Sequence, residues 1–473
     1  MIKVDLSWVA EKVKGTLKCA EDAVSAAEKL GIEQVSTDTR TIQPGCLFVA
    51  LSGANFNAHE FIGQAAEKGA VAAIVSEDID APIPLIKVAD TKLALGDLAA
   101  AVKASVAPKT VGITGSCGKT TVKEMVASIL ANRGKVLATK GNFNNEIGVP
   151  LTLLDLEPDH EFAVVEMGAN HLGEIAYTCS LAKPDVATIV NADAAHLEGF
   201  GSLFGVARAK SEIFSGVHEF GAAILNQDSQ FYEYWQGKTR HLNCETFSKD
   251  PQANYYPSDV NLNFDGCPEF TLNTPIGSTF VSLPVPGFHN VTNAVLAAGL
   301  AINVGADLQS IKMGLENMPQ VKGRLNIKSI TNQVRLLDDT YNANIASVNA
   351  AIDVLKSFPG RRVVILGDMG ELGEKARYYH EQVGEYARKS GIDYFISLGV
   401  LSQHASDVFE AKGKHFSDIE SLVSYTESLL GNEQCDISIL VKGSRGARME
   451  NVVSALEGSA LGKLERMRER IAC

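Results

Sequence analysis

The stretch TVGITGSCGKTTVKEM, residues 110–125, restricts this chain more than any other part of it. An apolar strand runs into a glycine-rich turn and out into a helix. Such a turn points its backbone N–H groups at one spot, the helix N-terminus adds positive potential there, and a lysine neutralises further phosphate charge. Gly115, Ser116, Cys117, Gly118, Lys119, Thr120 and Thr121 are therefore expected to hold a nucleotide's phosphates, with the Thr120 hydroxyl placed towards Mg²⁺. The strict pattern requires glycine five residues before Gly118. Ile113 stands there, and Gly112 comes one residue too early. That departure points away from common GTPases, and no NKxD guanine-reading motif occurs. A glycine-rich strand–helix turn with a surface lysine is the plain alternative. Cys117 is read as backbone filler rather than as a nucleophile.

The helix after the loop carries Val122, Met125, Val126, Ile129 and Leu130 at the 3.6-residue period. Further buried-type strands follow in FAVVEM, DVATIV and AAILN, and alternation in VNLNF and STFVSLPV predicts a small antiparallel insert. At 473 residues the chain exceeds one core, and 45% hydrophobic content supplies ample interior. Two joints, SVAPKTVG at 105–112 and ENMPQVKGRLN at 316–326, divide it into residues 1–107, 108–321 and 322–473. The first piece mixes the strands CLFVAL, VAAIV and PLIKV with helices. The third alternates RLLDD, RRVVILGD, DYFISLG and DISILVKG with amphipathic helices, the pattern of a parallel sheet covered on both faces. The expected class is α/β with three domains: a small N-terminal one, a central P-loop ATPase-like parallel sheet with its insert, and a C-terminal Rossmann-like one.

The formal charge of −13 argues against a nucleic-acid partner. Eight scattered cysteines without CxxC spacing suit a reducing, cytoplasmic setting. The N-terminus has no signal-peptide core, and no apolar run approaches a membrane span.

Glu166 ends one predicted strand, and His196 follows another. Carboxyl ends of parallel strands are where such sheets bind ligands, so both side chains are expected beside the phosphate loop. A hard cation bridging phosphates wants oxygen ligands, which favours Glu166 over His196. Singly, Glu166 reads equally as an ion-pair partner and His196 as a hydrogen-bonded loop residue. Lys210, in GVARAKSEIF, reads by pattern as a solvated helix lysine.

Eight stretches then occur in order: GITGSCGKTTVKEM, GNFNNEIGVP, VEMGANHLGEI, NADAAHLEGFGSLFGVARAKSEIF, GFHNVTNAVLAAG, DDTYNAN, LGDMGELG and VKGSRGARME. Together they resemble the Mur ligases, over nearly the whole chain. Within that family the resemblance is to the branch that adds D-alanyl-D-alanine to UDP-N-acetylmuramoyl-tripeptide in peptidoglycan precursor synthesis. It implies an ATP-dependent ligase in which phosphoryl transfer to the tripeptide carboxylate gives an acyl phosphate that the dipeptide amine attacks. It also implies a uridine-nucleotide domain at 1–107, an ATP-binding domain at 108–321 and a Rossmann-like domain at 322–473. Monomeric action is the expectation.

The resemblance assigns roles residue by residue. Lys119 masks phosphate charge; Thr120 and Glu166 hold one Mg²⁺, and His196 a second. Lys210 matches a family lysine that can be carbamylated, which would convert a cation into an oxygen ligand for the second Mg²⁺. Asn290 and Asn293 resemble an adenine-reading pair, though Asn290 also suits a helix cap. Arg324 and Asp339 match residues that meet the nucleotide when domains close; otherwise they read as a linker charge and a helix-start residue. Tyr341, Asn342, Asn344 and Ser347 correspond to the segment facing the incoming amine. The family usually has proline after DxYNAN, and Ile345 replaces it here. Ser36, Thr37, Asp38, Thr39 and Arg40 resemble the uridine-nucleotide segment, with Arg40 for pyrophosphate; alone they read as a polar turn. Asn142, Asn144 and Asn145 are expected to face the muramoyl-peptide, or else to be turn residues.

Three other readings compete with this one. The ligase adding the third residue usually carries a DNPR motif, absent here. Folylpolyglutamate synthetase has its phosphate loop nearer the N-terminus. A nucleotide-dependent switch without ligase activity is the reading from another class.

Overall fold

The computed structural model describes residues 1–459 apart from 20–23, 54–55, 194–196 and 431–434. Three sheets organise the chain, and each has its own reason to exist in the sequence.

The N-terminal sheet orders its strands as Thr16–Lys18, Leu85–Lys87, Ala70–Val75, Cys46–Val49 and Gln34–Ser36. Only the first pairing is antiparallel. Cys46–Val49 is buried at every position, as a parallel strand covered on both faces must be. The long helix Thr91–Val106 starts at Asp90, whose carboxylate accepts the N–H groups of Lys92 and Leu93, and ends at Ala107 in the left-handed region. Only Pro108 then separates it from the strand Lys109–Thr114.

The central sheet is wholly parallel, in the order Val136–Ala138, Phe162–Glu166, Lys109–Thr114, Val186–Ile189, Ala222–Asn226, Asn243–Phe247. The chain leaves Lys109–Thr114 in one direction and later returns to its other side, so a topological switch point falls at that strand's carboxyl end. Helix Lys119–Leu130 buries Val122, Met125, Val126, Ile129 and Leu130, the expected stripe. The expected insert is a three-stranded antiparallel sheet, Tyr256–Leu262, Pro268–Thr274 and Gly277–Ser282.

The chain joint at 105–112 is not a packing boundary. One core cluster runs from Leu6, Val9 and Ile74 through Leu95, Leu98 and Val102 into Val149, Leu153, Val165 and Ile175. Helix Thr91–Val106 packs against helices Gly148–Leu154 and Glu174–Ala182 of the central module. At Gly96 the approach is closest: an added Cβ would lie 2.1 Å from the Tyr177 hydroxyl.

The C-terminal sheet runs Asn326–Ser329, Val334–Asp339, Ile437–Lys442, Arg361–Gly367, Tyr394–Leu398, Gly413–Phe416. All four expected strands form and pair in parallel. One edge strand lay outside that expectation: Asn326–Ser329 pairs antiparallel with Val334–Asp339 through a short connection. Two further core clusters lie on its two faces. The second joint contains Gly323 and Leu325, both at positive φ, immediately before this sheet begins.

Candidate active site

Strand Lys109–Thr114 ends at the switch point, and residues 115–118 turn the chain into helix Lys119–Leu130. Gly118 has φ +77°, a conformation that costs a glycine little. Ile113 is fully buried inside the strand. The turn is therefore shorter than the strict pattern, which is why no glycine is needed at 113.

Thr120 and Glu166 meet as expected. The Thr120 hydroxyl donates to Glu166 Oε2 at 2.9 Å, and Asn144 Nδ2 donates to Glu166 Oε1 at 2.8 Å. Glu166 is only 2% exposed, so its charge sits in a place of restricted solvent beside the loop. Lys119 Nζ donates to the Gly115 carbonyl at 2.6 Å. Burial pulls its amine below the usual lysine range, Glu166 opposes that, and Arg324 of the C-terminal module adds to it.

Lys210, which pattern alone would place in water, is 2% exposed. It lies on the inward face of helix Leu203–Ser211, with Val206 and Ala207 also buried. Burial and then repulsion from Lys119 bring its amine down to about 7, against the attraction of Cys117 and Asp193. Burial raises the Asp193 carboxyl, and Lys210 partly offsets this. The Cys117 thiol is pushed up by burial and by Asp193, so it stays protonated, in line with a residue that is not a nucleophile. His196 lies outside the described residues.

Asn290 and Asn293 are both buried on helix His289–Asn303. Asn290 Nδ2 donates to the Pro286 carbonyl at 2.8 Å, and Asn293 Nδ2 donates to Asn290 Oδ1 at 3.0 Å. The capping alternative for Asn290 fails, since its side chain donates where an N-cap must accept. A Cβ on Gly118 would stand 3.0 Å from Asn293 Oδ1, so the pair abuts the phosphate loop.

The C-terminal module touches this site directly. Asn344 caps helix Ile345–Lys356 by accepting the Ser347 N–H, and Ser347 Oγ accepts the Asn344 N–H. With Oδ1 fixed by that cap, Asn344 Nδ2 donates to Cys117 Sγ at 3.0 Å. The Arg324 guanidinium lies over the Tyr341 ring, 4.3 Å from its centroid, and its Nε is buried without a partner among the described residues. Asp339 is the last residue of a strand rather than a helix start. It receives the buried Lys442 amine, which also donates to the Asn342 carbonyl at 2.9 Å.

Other expected residues lie apart. Arg40 makes a two-pronged pair with Asp38, whose carboxyl is held near 2 mainly by that hydrogen bond. Ser36 Oγ donates to the Asp38 carbonyl, and Lys68 donates to that of Thr39. Thr37 is half-buried in the same turn. Asn145 Oδ1 accepts the N–H groups of Ile147 and Gly148, so it serves the turn, and Asn142 is exposed beside it. The neighbouring Glu146 pairs with Lys92 across the module boundary. Sequence reasoning missed the roles of Lys442 and Asn191. Both stand at or just beyond strand carboxyl ends, the one signal that pointed to them.

A phosphate loop at a switch point, with a hydroxyl–carboxylate pair beside it and a second α/β module pressed on it, defines a three-module nucleotide-dependent enzyme. The chain belongs to the Mur ligase family. The Mur ligase middle domain matches residues 113–301, the Mur ligase, glutamate ligase domain matches 323–445, and the Mur ligase family, catalytic domain matches 31–103. The UDP-N-acetylmuramoyl-tripeptide–D-alanyl-D-alanine ligase of Escherichia coli (strain K12) is 47% identical over 458 residues, covering 97% of this chain and 99% of the relative. A crystal structure of MurF from Acinetobacter baumannii superposes with TM-score 0.90 at 36% identity, over 97% of this chain and 99% of that one. MurF ligase from Thermotoga maritima, solved in complex with ADP, gives TM-score 0.81 at 28% identity, over 91% and 98%.

Proposed function

We propose that this chain is an ATP-dependent amide ligase that joins D-alanyl-D-alanine to UDP-N-acetylmuramoyl-tripeptide. The observation that carries it is the pairing of Thr120 with Glu166 directly below the phosphate loop, in a chain matched end to end by relatives bearing that name.

The chemistry brings two anions together, a carboxylate and a triphosphate, so positive charge must be concentrated where the terminal phosphoryl group passes. Lys119 and the helix N-terminus supply part of that charge. Arg324 reaches the same point from the C-terminal module. The site also fits Mg²⁺: a hydroxyl and a carboxylate are hard oxygen donors, and Thr120 with Glu166 offers both. Mg²⁺ would neutralise phosphate charge; Thr120 and Glu166 are the residues we assign to hold one such ion, and His196 a second. Lys210 fits carbamylation, because a buried amine brought to about 7 is substantially unprotonated at neutral pH, the form that adds CO₂. Asn290 and Asn293 are assigned to the adenine edge. Asn344 and Ser347, with Tyr341 and Asn342, are assigned to the amine side, and residues 36–40 to the uridine nucleotide. The acyl phosphate then forms on the tripeptide carboxylate, and the dipeptide amine displaces phosphate from it.

We keep the division into 1–107, 108–321 and 322–473 as three functional units, acting as a monomer in the cytoplasm. No helix among the described residues is long and apolar enough to cross a membrane. The deciding experiment supplies ATP, UDP-muramoyl-tripeptide and D-Ala-D-Ala and looks for the pentapeptide by mass. Phosphate released with only one peptide substrate present would favour a switch instead.

A further inference from the structure

The turn after strand Lys109–Thr114 is closed by a residue from the neighbouring strand end. Asn191 lies two residues beyond Val186–Ile189. Its Oδ1 accepts the N–H groups of Ser116 at 3.1 Å and Cys117 at 2.8 Å, while its Nδ2 donates to the Cys117 carbonyl at 3.2 Å. The Ser116 N–H also reaches the Asn191 carbonyl at 3.1 Å. Two residues further on, Ser116 Oγ donates to the Asp193 carbonyl at 3.0 Å and accepts the Asp193 N–H at 2.9 Å.

These contacts divide the loop's donors into two sets. The amides of Ser116 and Cys117 are used inside the protein. Those of Gly118, Lys119, Thr120 and Thr121 have no protein acceptor among the described residues, as expected at a helix N-terminus. We propose that Asn191 is a positioning residue for the nucleotide. It clasps residues 116–117 so that the four helix-end amides and Lys119 face the phosphates as one preformed nest. The same clasp ties the loop to the segment that leads, three residues past Asp193, to His196. Only a carboxamide does this: it accepts two N–H groups and donates to a carbonyl at once. Aspartate would keep the two acceptor contacts, lose the donor and set a negative charge beside the triphosphate. The inference rests on the ligase reading for its biological meaning but not for its test.

The test measures binding of a non-hydrolysable ATP analogue by calorimetry for wild type, Asn191→Ala and Asn191→Asp. Thermal melting and the KM values for ATP and D-Ala-D-Ala accompany it. We expect Asn191→Ala to weaken analogue binding and raise the ATP KM about tenfold or more, the effect of losing the three side-chain hydrogen bonds that preorganise the loop. The dipeptide KM should stay within about twofold. Asn191→Asp, close to isosteric, should retain the melting temperature yet also bind the analogue about tenfold more weakly, with the deficit growing at low salt. Wild-type analogue affinity in both variants overturns the proposal. So does an equal rise in every KM with a lowered melting temperature, which marks a purely structural residue. Analogue binding decides the question even if wild type makes no pentapeptide, an outcome that would instead sink the ligase reading.

Discussion

Replacing Lys210 by methionine should make the protein more stable while ending its activity. The lysine is 2% exposed, and its amine is lowered from the usual 10.5 to about 7, chiefly by burial and then by Lys119. At about 1.36 kcal/mol per pH unit, that difference corresponds to a cost of about 5 kcal/mol for holding the charged amine in the fold. Methionine keeps the length and removes the charge, but it also removes the attraction to Asp193. A net gain of about 2–4 kcal/mol is therefore expected at pH 6, which for a module of this size raises its melting temperature by several degrees. The direction with pH follows from which state binds the proton. Between about 7 and 10.5 the unfolded chain is protonated at this lysine and the folded one is not, so wild-type stability from this group rises with pH. The advantage of Lys210→Met should thus be full below pH 7, shrink through that window and vanish near pH 10.5. Differential scanning fluorimetry of both proteins in CO₂-free buffers at pH 6, 8 and 10 reads this directly. A methionine variant that melts below wild type at pH 6, or a gap that does not change with pH, would refute the reasoning. Added bicarbonate should narrow the gap if the amine takes up CO₂, since the resulting anion is attracted to Lys119 instead of repelled.

Three other perturbations have definite expected results. Thr120→Val leaves Glu166 Oε2 without its donor and should weaken ATP use by about 10- to 100-fold in kcat/KM, while Thr120→Ser keeps most activity. Ile345→Pro should stabilise the C-terminal module by about 0.5–1 kcal/mol, read as a small rise in its denaturant midpoint. Ile345 is the first residue of its helix, and Asn344 before it is already extended, at φ −140° and ψ 171°, as a residue preceding proline must be. Tyr177→Phe removes a buried hydroxyl that has no partner among the described residues and should be neutral or stabilising by about 1 kcal/mol, whereas Gly96→Ala forces a methyl into that hydroxyl and should cost about 1–3 kcal/mol. The double variant should recover part of that loss in the same thermal melt.

The inner strands of all three sheets were legible because parallel strands buried on both faces read as short apolar runs, as in VAAIV, FAVVEM and DISILVKG. The edge strands Thr16–Lys18, Gln34–Ser36, Val136–Ala138, Asn243–Phe247, Asn326–Ser329 and Gly413–Phe416 were not, since an edge needs no such run. Glu166 was legible from its place at a strand end. Its partner Asn144 was expected to face the muramoyl-peptide or to serve a turn, because an asparagine cluster carries turn signals that mask a single side chain turned inward. Lys210 shows the limit most plainly. Nothing in a nine-residue helix with two basic residues says which of them faces the core; Val206 and Ala207 set the face only once the helix is docked. Asn191 and Lys442 act on partners 74 to 103 residues away in sequence, and no local pattern encodes such pairs.

The single core that joins the N-terminal sheet to the central one has a mechanical consequence. With Tyr177 seated against Gly96 and Lys92 bridged to Glu146, those two modules form one stiff body. The distance from the Ser36–Arg40 turn to Lys119 is then fixed like the jaws of a gauge. On the ligase reading, a muramoyl-peptide one residue too short would leave its carboxylate out of reach of the phosphoryl group. Chain length would thus be measured before any side chain is inspected, and only the C-terminal module, hung on residues 319–325, would be left to swing.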